Sequence, residues 1–152
     1  MEGVTLREMD YLKILFDAEE HDYIDLLGPK KIAERLKIRP PTAVEALKKL
    51  HKKGLISYTK KGIRLTRSGK LVVMRYLRRH RILEVFFVKV LGLDPEFVCT
   101  NIRGTELFVG DELIDKCCEF LGHPDKCPHG KPIPHSRFCL KKEGEDELWI
   151  SV

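Results

Sequence analysis

The side chains best suited to chemistry in this chain are a histidine and a carboxylate one helical turn apart, His80 and Glu84, and a proline-rich stretch, HPDKCPHGKPIPHSRFC. That stretch gathers His123, Cys127, His129, His135 and Cys139 within 17 residues. An i, i+4 spacing sets imidazole and carboxylate on one helix face, which suits either a shared metal ion or a hydrogen-bonded pair. Soft sulfur and nitrogen donors clustered in a loop also suit a metal, although the spacing matches no paired Cys-x-x-Cys zinc ribbon. The chain holds five cysteines, an odd number that argues against a disulfide framework and leaves metal binding, redox chemistry or burial open. Of the adjacent pair Cys117-Cys118, Cys117 reads as a small core residue. No Gly-rich phosphate loop or nucleophile elbow is visible, and nothing supplies a general base beside an open metal position, so an enzyme is not expected.

A second chemistry lies in the charge. From Gly28 to His80 there are 17 Lys and Arg against Glu34 and Glu45, a net of +15 in a chain whose overall charge is +5. A basic face of that size is the electrostatic footprint of duplex DNA binding, because each cation near a phosphate releases condensed counterions. The same stretch reads as a winged helix-turn-helix. Pro29 suits a first helical turn, with Ile32, Ala33 and Leu36 at helical spacing; Lys37-Ile38-Arg39 is the turn. The second helix begins at Pro40 and Pro41, turns Val44, Leu47 and Leu50 inward and ends at Gly54. Arg39, Pro40, Pro41, Thr42 and Glu45 then lie at the end that enters a major groove, and Lys48, Lys49, Lys52 and Lys53 face the phosphate backbone. Two strand-like runs, 55–58 and 63–66, flank a turn at Gly62 and form the wing, with Lys60 and Lys61 at its tip.

The elements that position these groups follow from apolar spacing. Leu6, Met9, Tyr11, Leu12, Leu15 and Phe16 make an amphipathic first helix with Thr5 as its N-cap. A long helix capped by Ser68 runs from about Gly69 to Leu91 and carries His80 and Glu84. Its apolar surface broadens after Arg81 beyond what one neighbour needs, which predicts a symmetric homodimer reading a palindromic operator with two recognition helices. Asp94-Pro95-Glu96 starts a further helix bearing Cys99, and Asp111 another whose apolar positions are Leu113, Ile114, Cys117, Phe120 and Leu121. At 152 residues and 43% hydrophobic content, the expected fold class is mostly α with a small β wing. The division is a DNA-binding domain over 1–70, a helical dimerisation and metal-binding domain over 71–140, and a short tail over 141–152 with a possible strand in ELWISV. No apolar run reaches membrane-spanning length without charges and the N-terminus lacks the pattern of a signal peptide, so a cytoplasmic protein is expected.

Over roughly residues 5–135 the chain resembles the diphtheria-toxin-repressor and manganese-transport-regulator family of metal-dependent transcriptional repressors. The resemblance rests on MDYLKILF, IAERL, PPTAVEALKKL, GIRLTRSG, RRHRILEVFFVKVLGLD and LGHPDKCPHGKPIP, of which the last two are the more specific. It implies a winged helix, a helical dimerisation domain, and iron(II) or manganese(II) favouring the DNA-binding form. Longer members add a C-terminal SH3-like domain, which is not expected here. By position, His80 and Glu84 fall on the His-x-x-x-Glu pair of an ancillary metal site, and Cys99 falls where a third ligand, usually histidine, stands. Asp10 and Glu106 fall on two ligands of a regulatory site. Arg103 stands there in place of cysteine or glutamate, and Leu107 in place of histidine, leaving two carboxylates of that site.

The expected function is therefore a homodimeric, metal-responsive repressor of metal-homeostasis genes. Metal would act by fixing the angle between the first helix and the dimerisation helices, and binding would weaken in acid because the ligands must be deprotonated. In one version Arg103 bridges Asp10 and Glu106 as a built-in cation. In another, Cys99 and Cys127 with His80, His123 or His129 assemble a thiolate-rich site for iron, zinc(II) or an iron–sulfur cluster. The alternative function is a redox-sensing winged-helix regulator acting through cysteine oxidation or an iron–sulfur cluster.

Overall fold

The computed structural model describes residues 3–21, 27–59 and 62–136. It contains helices α1 (Leu6–Glu20), α2 (Pro29–Arg35), α3 (Pro40–Lys52), α4 (Arg67–Leu91), α5 (Pro95–Asn101) and α6 (Asp111–Phe120), with strands β1 (Ile56–Thr59) and β2 (Gly62–Leu65) between α3 and α4. The chain divides within α4 into two compact units, Met1–Val73 and Met74–Val152.

In the first unit, local chemistry sets the helix starts. Thr5 and Glu8 form a reciprocal capping box at α1, and Pro29 and Pro40 occupy the opening positions of α2 and α3, where their missing N–H costs nothing. Lys37, at φ 52°, turns the chain between those helices. Behind α3, Gly54 adopts φ 70° and leads into β1, which pairs antiparallel with β2 in the register Ile56↔Leu65 to Thr59↔Gly62. The core is built from Met9, Leu12 and Leu15 of α1, Ile32 of α2, Leu47 and Leu50 of α3, and Ile56 and Ile63 of the hairpin. Helix α1 packs on α3 and β2, so the recognition helix sits on a closed three-helix-and-hairpin frame.

Two details differ from the sequence expectation. Ala43 rather than Val44 takes the inward position on α3, and Val44 is half-buried: the 43, 47, 50 set lies nearer one stripe, and close approach to neighbouring elements favours the smaller side chain. Thr66 rather than Ser68 caps α4, which starts at Arg67. The Thr66 hydroxyl accepts from the Gly69 N–H at 3.0 Å and donates to the Gly54 carbonyl at 2.6 Å, so the cap also ties the helix start to the turn after α3.

In the second unit, Ile82, Leu83 and Val85 of α4 pack with Val98 and Ile102 of α5 and its end, Ile114 and Cys118 of α6, and Cys127 and Ile133 of the following loop. Asp94 caps α5 by accepting from the Phe97 N–H at 2.9 Å. Cys118, not Cys117, is the core cysteine of α6; Cys117 is half-buried, and Leu113 and Phe120 are exposed. One step along a helix turns a side chain by about 100°, so adjacent cysteines face different surroundings. The expected tip residues Lys60 and Lys61, Cys139 and the tail strand in ELWISV lie outside the described residues.

Candidate metal centre and nucleic-acid interface

Three segments of the second unit carry donors to one place. Helix α4 contributes His80 and Glu84 from successive turns of one face. Helix α5 contributes Cys99, with Glu96 one turn before it. The loop after α6 contributes Cys127 and His129. That loop is a narrow hairpin: Lys126 bridges Pro132, Cys127 N–H donates to Lys131 O at 3.0 Å, and Gly130 N–H donates back to Cys127 O at 2.8 Å. Gly130 has φ 72°, which the turn requires and which an L side chain rarely adopts. Arg81 on α4 donates to the Pro132 carbonyl, and Ile133 is buried in the core, so the hairpin is fastened to the helix that bears the other donors.

The donor atoms form two overlapping groups, His80–Glu84–Cys99 and Glu84–Cys127–His129, each with its ligand atoms within 4.8 Å of one another. Glu84 belongs to both and is 1% exposed. Cys99 Sγ joins them, 3.4 Å from His80 Nε2 and 3.8 Å from His129 Nδ1, while His129 Nδ1 also contacts Glu84 Oε1. Each imidazole has a carboxylate on its other nitrogen: His80 Nδ1 lies 2.6 Å from Glu106 Oε1, and His129 Nε2 lies 2.9 Å from Glu96 Oε1.

The electrostatics suit a cation. Burial, followed by the nearby Glu84, Glu96 and Cys127, pushes the Cys99 thiol up to about 12. Burial also raises Cys127, against N–H groups of Lys131 and His129 that favour the thiolate. Bonds to Glu96 and then Glu84 raise His129. Burial is the main cause for both thiols and the neighbouring Glu84 adds to it; a divalent ion would favour the thiolate forms. The donor set of two thiols, two imidazoles and a buried carboxylate therefore fits a transition metal.

Of the expected ligands within this unit, His123 and Glu106 belong to neither donor group. His123 pairs instead with Cys118, at 3.5 Å from Nδ1 to Sγ. Asp10 lies in the first unit, 3.8 Å from Arg7. Glu106 is fully buried; its Oε1 faces His80 and its Oε2 accepts from the Gly104 N–H at 2.6 Å. Burial would raise its carboxyl, but the bonds from His80 and from the backbone outweigh that and hold it below the usual range. Arg79 fixes the segment by donating to the Glu106 carbonyl at 2.8 Å and to Asp111 at 2.8 Å. Sequence reasoning misses the partnership of Glu96 with His129: an exposed acid has no apolar period to reveal it, although its position three residues before Cys99 on α5 is a signal of a shared face.

On the first unit, Arg39, Pro40, Pro41, Thr42, Glu45, Lys48 and Lys49 are all exposed along the N-terminal and outer side of α3. Glu45 pairs with Lys48 at 3.2 Å. Lys53, expected to face phosphate, is engaged by Glu8 at 2.7 Å and by the Gly3 carbonyl, so it ties α3 to α1.

Residues 4–63 match the family pattern described as "Iron dependent repressor, N-terminal DNA binding domain", and residues 66–135 match "Iron dependent repressor, metal binding and dimerisation domain". This chain belongs to the iron-dependent repressor family. Within it, the iron-dependent repressor IdeR of Mycobacterium tuberculosis is 30% identical over 134 residues, covering 88% of this chain and 57% of that protein. The structure of the manganese regulator SloR is similar with a TM-score of 0.73 at 32% identity, covering 84% of this chain and 59% of that one. A hypothetical protein from Sulfolobus solfataricus is matched over its whole length, with 87% of this chain covered, a TM-score of 0.75 and 30% identity. The chain thus spans little more than half the length of the curated relatives it matches. The family is one of DNA-binding, metal-dependent repressors, not enzymes. Among the described residues no helix is long and apolar enough to cross a membrane.

Proposed function

We propose that this protein is a homodimeric, metal-responsive transcriptional repressor of metal-homeostasis genes. Residues 1–70 act as the DNA-binding domain and 71–140 as the dimerisation and metal-binding domain. The observation that carries this reading is the convergence of His80, Glu84, Cys99, Cys127 and His129 from two helices and a loop, in a chain whose other unit presents a basic recognition helix. Iron(II) or manganese(II) is the ion suggested by the metals named for the relatives. When bound, the ion supplies positive charge to a site of buried acids and thiols. The chain's own part is to hold those donors in place and to link their occupancy to the population that binds DNA. Thr42 and Arg39 meet base edges, while Lys48 and Lys49 meet phosphates. Support for a dimer comes from apolar side chains left on the surface of the second unit, including Leu113 and Phe120 of α6. A palindromic operator follows from two-fold symmetry.

The family match favours this reading over cysteine oxidation as the signal. Burial also works against thiol sensing by the vicinal pair, since Cys118 is fully buried and the Cys117 thiol is raised by burial. The test is fluorescence anisotropy on duplexes recovered by selection from random sequence, with and without metal and chelator. Reversible, metal-dependent affinity is expected; equal affinity in chelator would overturn the proposal.

A further inference from the structure

We infer that Glu45, on the outer face of α3, is a specificity-determining residue that selects a cytosine by accepting a hydrogen bond from its N4 amino group in the major groove. The inference rests on the DNA-binding reading above and names a base which that reading leaves open.

Ala43, Leu47 and Leu50 form the buried stripe of α3. At about 100° per residue, Glu45 stands about 200° round the axis from Ala43, and Pro41 about 200° the other way, so both occupy the middle of the opposite face. That face continues through Lys48 and Lys52, and all four residues are exposed. A helix seated in a major groove sends the middle of its outer face deepest, and its N-terminal half reaches the base edges. Pro41 and Glu45 hold those positions.

Glu45 is the only acidic residue of α3, in a stretch where every other charge but Glu34 is positive. A carboxylate among phosphates costs affinity unless it meets a donor. The fold makes little use of it. It stands beyond the first turn, where an acid would gain from the helix dipole, and α3 has no side-chain cap. Its pair with Lys48 at 3.2 Å joins side chains that are 66% and 61% exposed, and such pairs contribute little stability. The pair does keep a cation beside the carboxylate, and the ammonium retains further donors for a phosphate.

The base follows from the pattern of donors in the groove. Guanine presents O6 and N7, and thymine O4 and a methyl group, so a carboxylate there loses water without gaining a partner. Adenine offers its N6 amino group beside the acceptor N7. Cytosine presents its N4 amino group and no acceptor, the one edge that suits a side chain able only to accept. Glu45 thus selects both by attraction to cytosine and by repulsion from competing acceptors.

Selection of duplexes from a random pool tests this on the full chain and on Glu45→Gln and Glu45→Ala, each with manganese(II) and, anaerobically, with iron(II). Wild type should recover a site with cytosine at one position, where any other base lowers affinity about 5- to 150-fold. Glu45→Gln should move that preference to adenine, whose N6 and N7 suit an amide, and Glu45→Ala should abolish it, with the rest of the site unchanged. In a synthetic duplex carrying pyrimidin-2-one for that cytosine, which lacks the amino group, wild type should lose more affinity than Glu45→Ala does. Thermal melts of both variants should match wild type, since the side chain lies outside the core. Variants that recover the wild-type site, or equal loss by wild type and Glu45→Ala when the amino group is removed, overturn the inference while leaving the repressor reading intact. A wild type that recovers no site with either metal sinks that reading and this inference together.

Discussion

At the scale of single residues, the most demanding position is Gly69, at the start of α4. A Cβ built there would lie 2.0 Å from the Leu55 carbonyl oxygen and 3.2 Å from a methyl of Leu65. The oxygen belongs to backbone already engaged by the Thr66 N–H at 3.0 Å, so neither side can yield cheaply. Gly69→Ala should therefore destabilise the first unit by about 2 kcal/mol or more, as overpacking against a fixed wall does, even though alanine is the better helix former. Urea unfolding followed by circular dichroism would measure it, and an unchanged midpoint would refute the close approach. This constraint is invisible in the sequence, where Gly69 reads as an ordinary helix start. The same region explains why Thr66 rather than Ser68 caps the helix: the cap must also reach the Gly54 carbonyl, and that requirement comes from tertiary structure, not from local propensity.

At the scale of elements, α1 depends on its entry and on one cross-helix ion pair. Thr5 and Glu8 satisfy each other's backbone N–H groups, and Glu8 also receives Lys53 at 2.7 Å. Thr5→Ala should cost about 1 kcal/mol of stability. Burial alone would raise the Glu8 carboxyl, but Lys53 and the Thr5 backbone N–H more than offset it and hold it below its ordinary value of 4.5. The unfolded chain then binds a proton more readily than the folded one. The stabilisation is complete above the unfolded carboxylate range and is lost as pH falls from there through the lower folded value. Glu8→Gln should consequently flatten the acid limb of the stability profile measured by thermal melts between neutral and strongly acidic pH; an unaltered acid limb would show that the pair contributes nothing. Helix beginnings of this kind were legible in the sequence because Thr5, Pro29, Pro40 and Asp94 act on N–H groups within one turn. Rotation about a helix axis was not: Ala43 against Val44 and Cys118 against Cys117 are choices of about 100°, decided by which neighbour lies opposite. Likewise the i, i+4 spacing of His80 and Glu84 announced a shared face, whereas the approach of Glu106 to His80 depends on where the chain after α5 returns.

At the scale of the whole molecule, charge and metal donors are separated along the chain, and each makes its own demand on the solution conditions. The +15 carried by residues 28–80 predicts DNA affinity that falls steeply with salt. Replacing both Lys48 and Lys49 by alanine should weaken binding to all duplexes alike and lower the slope of log affinity against log salt by roughly 2, about 0.9 for each phosphate no longer neutralised. A slope that does not move would place those lysines away from the backbone. Metal should act on the other unit. Every donor of the centre lies within Met74–Val152, and an ion that binds only the folded arrangement stabilises it by mass action, about 2.7 kcal/mol at a hundredfold excess over its dissociation constant. Hydrogen exchange on the protein with and without zinc(II) should locate that gain. The amides of α5 and of the hairpin from Lys126 to Pro132 should slow most, because those segments deliver Cys99, Cys127 and His129 to α4. His129→Ala should remove most of the zinc-dependent protection in the hairpin, scored as the difference between the loaded and metal-free forms of the same variant, because loss of the bonds to Glu84 and Glu96 also alters the metal-free protein. If zinc(II) slows neither segment, the convergence of these side chains is not a metal centre, and the burial of Glu84 would need another cation to explain it.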